Sequence, residues 1–289
     1  MNRATWPQKL FTGFNYTFLT VFSITMLVPF VHILAGSFSG NNALMQGEVS
    51  VFPVDFTLSN YQVVFADPSI WRAFGITVLI TVLGTAISLL LTCLMAFGLS
   101  RPDLKGRSFI LLLVVFTMIF QAPMIPAYLL VKSLGMLNTI WAMIIPGAIS
   151  AFNMVIMVSF FRNIPDGLLE SARMDGAGEY RTLFQIVIPL SLPSLLTIGL
   201  FYAVGYWNSY MSALMYVRNP SLHPLQVKLR QMIVESDVDS MLQSTLATMQ
   251  SVEGIKMASI IFATIPILII YPWIQKHFVK GAMLGSVKG

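Results

Sequence analysis

The chain has 289 residues, of which 56% are hydrophobic and only 10% charged, with a mean hydropathy of +0.77 and a formal net charge of +5. Soluble domains carry about a quarter charged residues, so this composition excludes an ordinary soluble domain and indicates a polytopic membrane protein. The charge surplus reflects loop asymmetry, not nucleic-acid binding, and the single Cys93 cannot form a cysteine metal cluster.

A membrane-spanning helix needs about 20 apolar residues and satisfies its own backbone hydrogen bonds. A closed barrel would show short alternating strands instead. Six runs meet the helical requirement, over residues 14–37, 73–99, 108–131, 138–161, 190–214 and 257–274. The expected fold is therefore all-α, a polytopic membrane protein with six transmembrane helices in one domain over residues 1–289. The first run follows Arg3 and Lys9 but is too long for a signal-peptide core, so an uncleaved span is expected.

Residues 38–71 form the first long connection, with breaks at Phe52-Pro53 and Asp67-Pro68 and a short-helix start at Ser59-Asn60-Tyr61. The second, residues 216–256, opens with the turn signal Arg218-Asn219-Pro220 and continues at helical spacing through Leu225, Leu229, Met232 and Ile233. Orientation follows from the basic residues. With the N-terminus inside, Arg3, Lys9, Arg101, Lys105, Arg107, Arg162, Arg173, Arg181, Lys276, Lys280 and Lys288 are cytoplasmic, 11 in all. Arg72, Lys132, Arg218, Lys228, Arg230 and Lys256 lie outside, only 6. Residues 38–71 and 216–256 are then extracytoplasmic loops, and both termini, residues 162–189 and the tail 276–289 are cytoplasmic. Prolines punctuate the runs at Pro123, Pro126, Pro146, Pro189, Pro193 and Pro266. They free carbonyls and permit bends where neighbours re-satisfy the backbone, although proline is also simply common in membrane helices.

Several chemistries are missing. There is no G-x-x-x-x-G-K-[ST] phosphate loop, no H-E-x-x-H and no G-x-S-x-G. His32, His223 and His277 are far apart in sequence, so no catalytic residue and no metal site is expected. All six runs lack Asp, Glu, Lys and Arg altogether. Proton-driven carriers usually need intramembrane carboxylates, so energy is expected to enter from elsewhere.

The segment 162–189 is the most informative. Pro165 suits a first helical turn, and Asp166 and Glu170 complement the dipole at its start. Leu168, Leu169 and Ala172 form one apolar face, and Gly176 and Gly178 end the helix. A second helix is expected from residue 179 to 188, bent by Pro189 and Pro193. Left bare, the apolar face would need cover from a partner protein. An interfacial helix fits less well, because Asp166, Glu170, Asp175 and Glu179 would be repelled by anionic headgroups.

This segment resembles the EAA loop of ABC importer permeases, which runs E-A-A, three residues, G, nine residues, I-x-L-P. Glu170, Ala172, Gly176, Ile186 and Pro189 fall at that spacing, with Ser171 for the second alanine and Ile188 for leucine. Phe160-Phe161-Arg162-Asn163-Ile164-Pro165, Met174-Asp175-Gly176-Ala177, Leu134-Gly135-Met136-Leu137-Asn138-Thr139, Trp207-Asn208, Val279-Lys280-Gly281 and the terminal Val287-Lys288-Gly289 are similar to the carbohydrate, maltose-type branch.

The resemblance implies a type I ABC importer permease fold in a bacterial cytoplasmic membrane. It implies a second related permease, two ATP-binding subunits carrying ATP and Mg, and an extracytoplasmic solute-binding protein. This chain itself would be no enzyme and bind no cofactor. Glu170, Ser171, Ala172, Asp175, Gly176, Ala177, Ile186 and Pro189 would couple to the ATPase. Lys280, Gly281, Lys288 and Gly289 would lie on a tail against it.

Sugar handling needs hydrogen-bonding groups and aromatic faces, for which the candidates are Gln121, Asn153, Trp207, Asn208 and Tyr210. A Trp/Tyr interface belt with interhelical hydrogen bonds is the competing reading. The tail looks most like those of permeases for polysaccharide-derived oligosaccharides, including uronate chains such as alginate or pectin fragments, though no Arg or Lys lies mid-membrane to meet a carboxylate. The alternative class, a self-sufficient secondary carrier or channel, would predict midplane ion-coordinating groups and internal repeats, and the sequence displays neither.

Overall fold

The structure, a computed structural model, describes residues 6–120, 122–242 and 252–286. Every regular element among them is helical, as the apolar runs predict. α1 (Trp6–Ser37), α2 (Asn41–Met45), α3 (Ser59–Ala66) and α4 (Pro68–Ser100) lead into α5 (Arg107–Ile119) and α6 (Met124–Ser133). Then come α7 (Trp141–Ile144), continued by a 3-10 turn over Ile145–Gly147, α8 (Ala151–Arg162) and α9 (Asp166–Met174). α10 (Glu179–Thr182), a π-helical turn (Leu183–Val187) and α11 (Ile188–Leu190) precede α12 (Leu192–Trp207) and α13 (Met211–Tyr216). A 3-10 turn (Pro220–Leu222), α14 (Leu225–Leu242) and α15 (Val252–Ser286) complete the order.

Three helices are long and apolar enough to cross a membrane without a break: Trp6–Ser37, Pro68–Ser100 and Glu253–Ile270 within α15. The other three apolar runs are each divided. Arg107–Ile119 and Met124–Ser133 form one bent pair, Trp141–Gly147 and Ala151–Arg162 a second at 53°, and Glu179–Leu190 and Leu192–Trp207 a third at 87°. Six spans are reached if each pair is one span. The breaks coincide with Pro123, Pro146, Pro189 and Pro193, because proline removes a ladder donor and its ring clashes with the preceding turn. Pro29 and Pro266, by contrast, sit inside unbroken helices.

Two expected boundaries are corrected. The fifth run, expected over 190–214, ends as a helix at Trp207, and α13 is a separate short element. The last run, expected over 257–274, continues as a helix to Ser286, so Lys280 and Gly281 lie on helical backbone.

The chain separates into two compact units, Met1–Ile70 with Leu229–Ile265 and Trp71–Lys228 with Pro266–Gly289. In the first, α1 is exposed over most of its length and buries only Ala35, Gly36 and Ser37. Its hydroxyls bond back into the helix, Thr12 to the Gln8 carbonyl at 2.7 Å and Ser23 to Leu19 at 2.7 Å, which satisfies them in an apolar setting. Ala43 and Leu44 of α2, Val49 and Met257 of α15 pack on its end beside Ala35. Buried Asn60 on α3 donates to the Ser37 and Ser39 carbonyls at 3.2 and 3.1 Å. The short helix expected at Ser59 thus supplies the polar clamp of this end.

In the second unit, Ile80, Ile144, Met154, Met157, Leu183 and Ile198 form a continuous core. Gly135, at φ +68, closes α6: the amides of Gly135 and Met136 return to Lys132 and Val131 at 3.0 and 3.2 Å. Asn138, at φ 59, accepts from the Arg218 amide at 2.6 Å, and its own amide donates to the Tyr216 carbonyl at 3.0 Å. The Leu134–Thr139 motif is therefore a cap followed by a clip that ties two loops together.

Candidate functional site

The coupling segment is built on α9. Pro165 is the residue just before the helix, one position earlier than its expected place inside the first turn, and Asp166 opens it. At the other end the Gly176 amide donates to Arg173 at 3.0 Å and the Ala177 amide to Ala172 at 2.9 Å, with Gly176 at φ +77. That pair of bonds is a Schellman cap, which wants a residue of left-handed conformation where Gly176 stands. Ser171, in place of the family's second alanine, turns its hydroxyl back to the Gly167 carbonyl at 2.7 Å, so its polarity is spent inside the helix.

The single apolar face expected over Leu168, Leu169 and Ala172 is divided. Leu169 and Ala172 are buried in the chain's own fold, at 8% and 5% exposure, and Leu169 joins the core that includes Leu183 and Val187. Leu168 faces out, joined by Met174 at 88% and Tyr180 at 75%. Glu170, Ser171, Asp175 and Gly176 are exposed, Ala177 and Ile186 half-buried, and Pro189 exposed. The outward surface is thus a mixed patch of two carboxylates, a thioether and an aromatic ring.

Charges anchor the segment. The Arg101 guanidinium meets the Glu179 carboxylate at 3.3 Å, and Arg173 meets Glu179 at 3.2 Å and Asp103 at 3.8 Å. Arg101 also lies 4.2 Å over the Phe97 ring. Burial pushes its guanidinium below the usual arginine range, and Glu179 opposes that shift. Arg162, at the end of α8, donates to the Leu99 carbonyl at 3.5 Å. In the sequence Arg101 and Arg173 registered only as orientation signals.

Beyond α9 the chain widens into the π-helical turn and bends at Ser191. The sugar candidates divide. Asn153, Asn208 and Tyr210 line one cavity of about 620 Å³, together with Ser150, Tyr202 and Tyr206. Trp207 does not line it: it is buried at 6% and meets the Phe74 ring edge-on at 6.0 Å. Gln121, Lys288 and Gly289 lie outside the described residues; Lys280 and Gly281 are on the α15 backbone. Every residue lining the cavity is uncharged.

Nothing in the sequence had singled out Tyr202 and Tyr206. The Tyr206 hydroxyl donates to the Ile144 carbonyl at 3.2 Å and pairs with Ser88 at 2.9 Å. The Tyr202 hydroxyl accepts from the Ser150 amide at 3.0 Å and pairs with Thr92 at 2.7 Å. Ile144 and Ser150 flank the break between α7 and α8, so the two phenols satisfy backbone groups that the break frees inside an apolar layer. A Cβ on Gly84 would lie 2.7 Å from the Tyr206 ring, so glycine there admits it. The available signal was spacing: Ser88 and Thr92, and Tyr202 and Tyr206, each four residues apart.

Comparison with known proteins finds relatives over almost the whole chain. Residues 104–283 match the family described as binding-protein-dependent transport system inner membrane component. The polygalacturonan/rhamnogalacturonan transport system permease protein YtcP of Bacillus subtilis (strain 168) is 47% identical over 287 residues, covering 98% of this chain and 99% of its own. Protein LplC of the same organism is 44% identical over 282 residues, 97% and 96% of the two chains. Among solved structures, a chain from a bacterial ABC transporter involved in the import of the acidic polysaccharide alginate superposes with a TM-score of 0.87. It is 34% identical, with 96% of this chain and 100% of that one covered.

Proposed function

Since the chain belongs to the binding-protein-dependent transport system inner membrane components, we propose that it is one permease subunit of an ATP-driven importer of uronate-bearing oligosaccharides. In this reading it forms half of the translocation pathway beside a second, related permease. Two ATPase subunits carry ATP and Mg on the cytoplasmic side, and an extracytoplasmic binding protein delivers the sugar. Both termini and residues 162–189 are cytoplasmic. Glu170, Ser171, Ala172, Asp175, Gly176, Ala177, Ile186 and Pro189 make up the coupling surface, Ala172 as its inward anchor. The tail bearing Lys280, Gly281, Lys288 and Gly289 lies against the ATPases, and Gln121, Asn153, Trp207, Asn208 and Tyr210 belong to the sugar pathway or its walls.

The observation that carries this reading is α9: a short helix fixed from beneath by Leu169 and Ala172, capped at Gly176, and presenting Glu170, Met174 and Asp175 outward. A rigid outward knob with a mixed polar and apolar face suits a groove on a soluble subunit, since exposed apolar groups of this size mark interaction sites. The substrate class is supported by two relatives, one named for polygalacturonan and rhamnogalacturonan and one from an importer of alginate. All three polysaccharides contain uronic acids.

The test is capture from the native host with an N-terminal tag, comparing wild type with Gly176→Asp. A side chain at that left-handed position costs up to roughly 1–2 kcal/mol, and this one also adds a carboxylate to the outward surface. Wild type is expected to bring down an ATPase and a second permease, and the variant to lose the ATPase. A wild-type chain that comes out alone, yet moves solute into liposomes without ATP, would be a carrier instead.

A further inference from the structure

Motion of α9 has two covalent routes into the spans, back through residues 163–165 into α8 and forward towards α12. The forward route passes the π-helical turn, Pro189, the 87° bend and Pro193 before reaching α12. A third route is not covalent. Glu179, the first residue of α10, holds Arg173 on one side at 3.2 Å and Arg101 on the other at 3.3 Å. Arg101 directly follows α4, its side chain only 12% exposed, its Nε buried without a partner and its carbonyl held by Arg107 at 3.2 Å.

From Arg101 back, α4 is one uninterrupted helix of 33 residues. It carries Thr92 and Ser88, whose hydroxyls hold Tyr202 and Tyr206 on the cavity wall. A fully exposed ion pair is worth less than about 1 kcal/mol. Arg101 is not in that situation, because Glu179 is its one anionic partner within ion-pair distance among the described residues and water reaches it little. Losing Glu179 would leave a largely desolvated cation over the Phe97 ring.

We propose that Arg101 and Glu179 form a latch that passes movement of the coupling helix into α4, and through α4 to the tyrosines of the cavity. Both are positioning residues for coupling ATP hydrolysis to import, and the inference rests on the proposed function. A contiguous chain of contacts is only an association until coupling is measured, so the test measures coupling directly.

The whole importer is purified through the tagged chain, placed in proteoliposomes with its binding protein and an oligogalacturonate, and assayed for sugar imported per ATP hydrolysed. Glu179→Gln, Arg101→Gln and the double variant are compared with wild type. Each single variant is expected to keep the co-purified ATPase and its hydrolysis while import per ATP falls about tenfold, the size of an ordinary coupling term. The double variant falls no further than Glu179→Gln, because each single change already breaks the Arg101–Glu179 contact. Singles with the wild-type ratio, or losses that multiply in the double, overturn the latch. Should Arg101→Gln fail to fold, Glu179→Gln alone decides, since that side chain is 57% exposed. Wild type coupled to ATP with Glu179→Gln equally coupled removes the latch alone. Wild type importing without ATP removes the proposed function and the latch with it.

Discussion

Tyr206 carries the densest chemistry of any single side chain in the broken region. Its hydroxyl serves both Ser88 and the Ile144 carbonyl, and its ring fills the space that Gly84 leaves. Tyr206→Phe keeps the ring and removes both bonds, one of them to the fully buried Ser88 hydroxyl, at a cost of about 1–3 kcal/mol. Thermal unfolding in detergent is expected to shift several degrees lower. Gly84→Val attacks the other side of the contact, where a Cβ already meets the ring at 2.7 Å. Backbone or ring must move, so its shift should exceed that of Tyr206→Phe. Equal melting temperatures for wild type and both variants would show that the phenol does not secure the break. The sequence could not disclose this, because a tyrosine in an apolar run fits a membrane-interface belt equally well. Only the fold brings Tyr206 to Ser88, 118 residues away.

At the scale of elements, α9 was the most legible part of the chain and also the part most changed by folding. Its start, its glycine cap and its acidic outward residues follow from local rules that need no tertiary knowledge. Which leucine faces inward does not, since Leu168 and Leu169 are neighbours and only the core of Leu183 and Val187 decides between them. The apolar runs likewise fixed how much chain could enter a membrane, whereas the 53° and 87° bends depend on partners for the freed backbone. The division of α9 has a testable consequence. Met174→Ser changes an outward residue that is 88% exposed, so the melting temperature should stay within a degree or two. Its predicted defect is weaker retention of the ATPase during capture. Ala172→Glu buries an unpaired charge in the anchor and should lower the melting temperature sharply. If Met174→Ser retained the ATPase as well as wild type does, the outward patch would not be the docking face.

For the whole molecule, the proposed substrate class sets a physical problem, because uronate chains are polyanions and the cavity offers them no cation. Its polar groups are amides and hydroxyls, among them Ser150, Asn153, Asn208 and Tyr210. A neutral wall of donors suits a path through which cargo must pass, since a fixed cation would hold a carboxylate in a low-dielectric layer and slow its release. Such a path should be far more sensitive to added negative charge than to loss of one donor. Asn153, 5% exposed at the start of α8 and lining the cavity, is the place to ask. Asn153→Ala removes one hydrogen-bonding group, for which a severalfold loss of oligogalacturonate import is expected. Asn153→Asp is nearly the same size but adds a carboxylate, and two carboxylates about 5 Å apart at an effective dielectric of 20 repel by roughly 3 kcal/mol. Import should fall about a hundredfold at neutral pH. Lowering the pH neutralises a carboxylate by protonation, so import should recover towards the Asn153→Ala level. Wild type and Asn153→Ala, assayed at each pH, correct for titration of everything else. If Asn153→Asp and Asn153→Ala lose import equally at neutral pH, with no recovery on acidification, the uronate does not pass this wall.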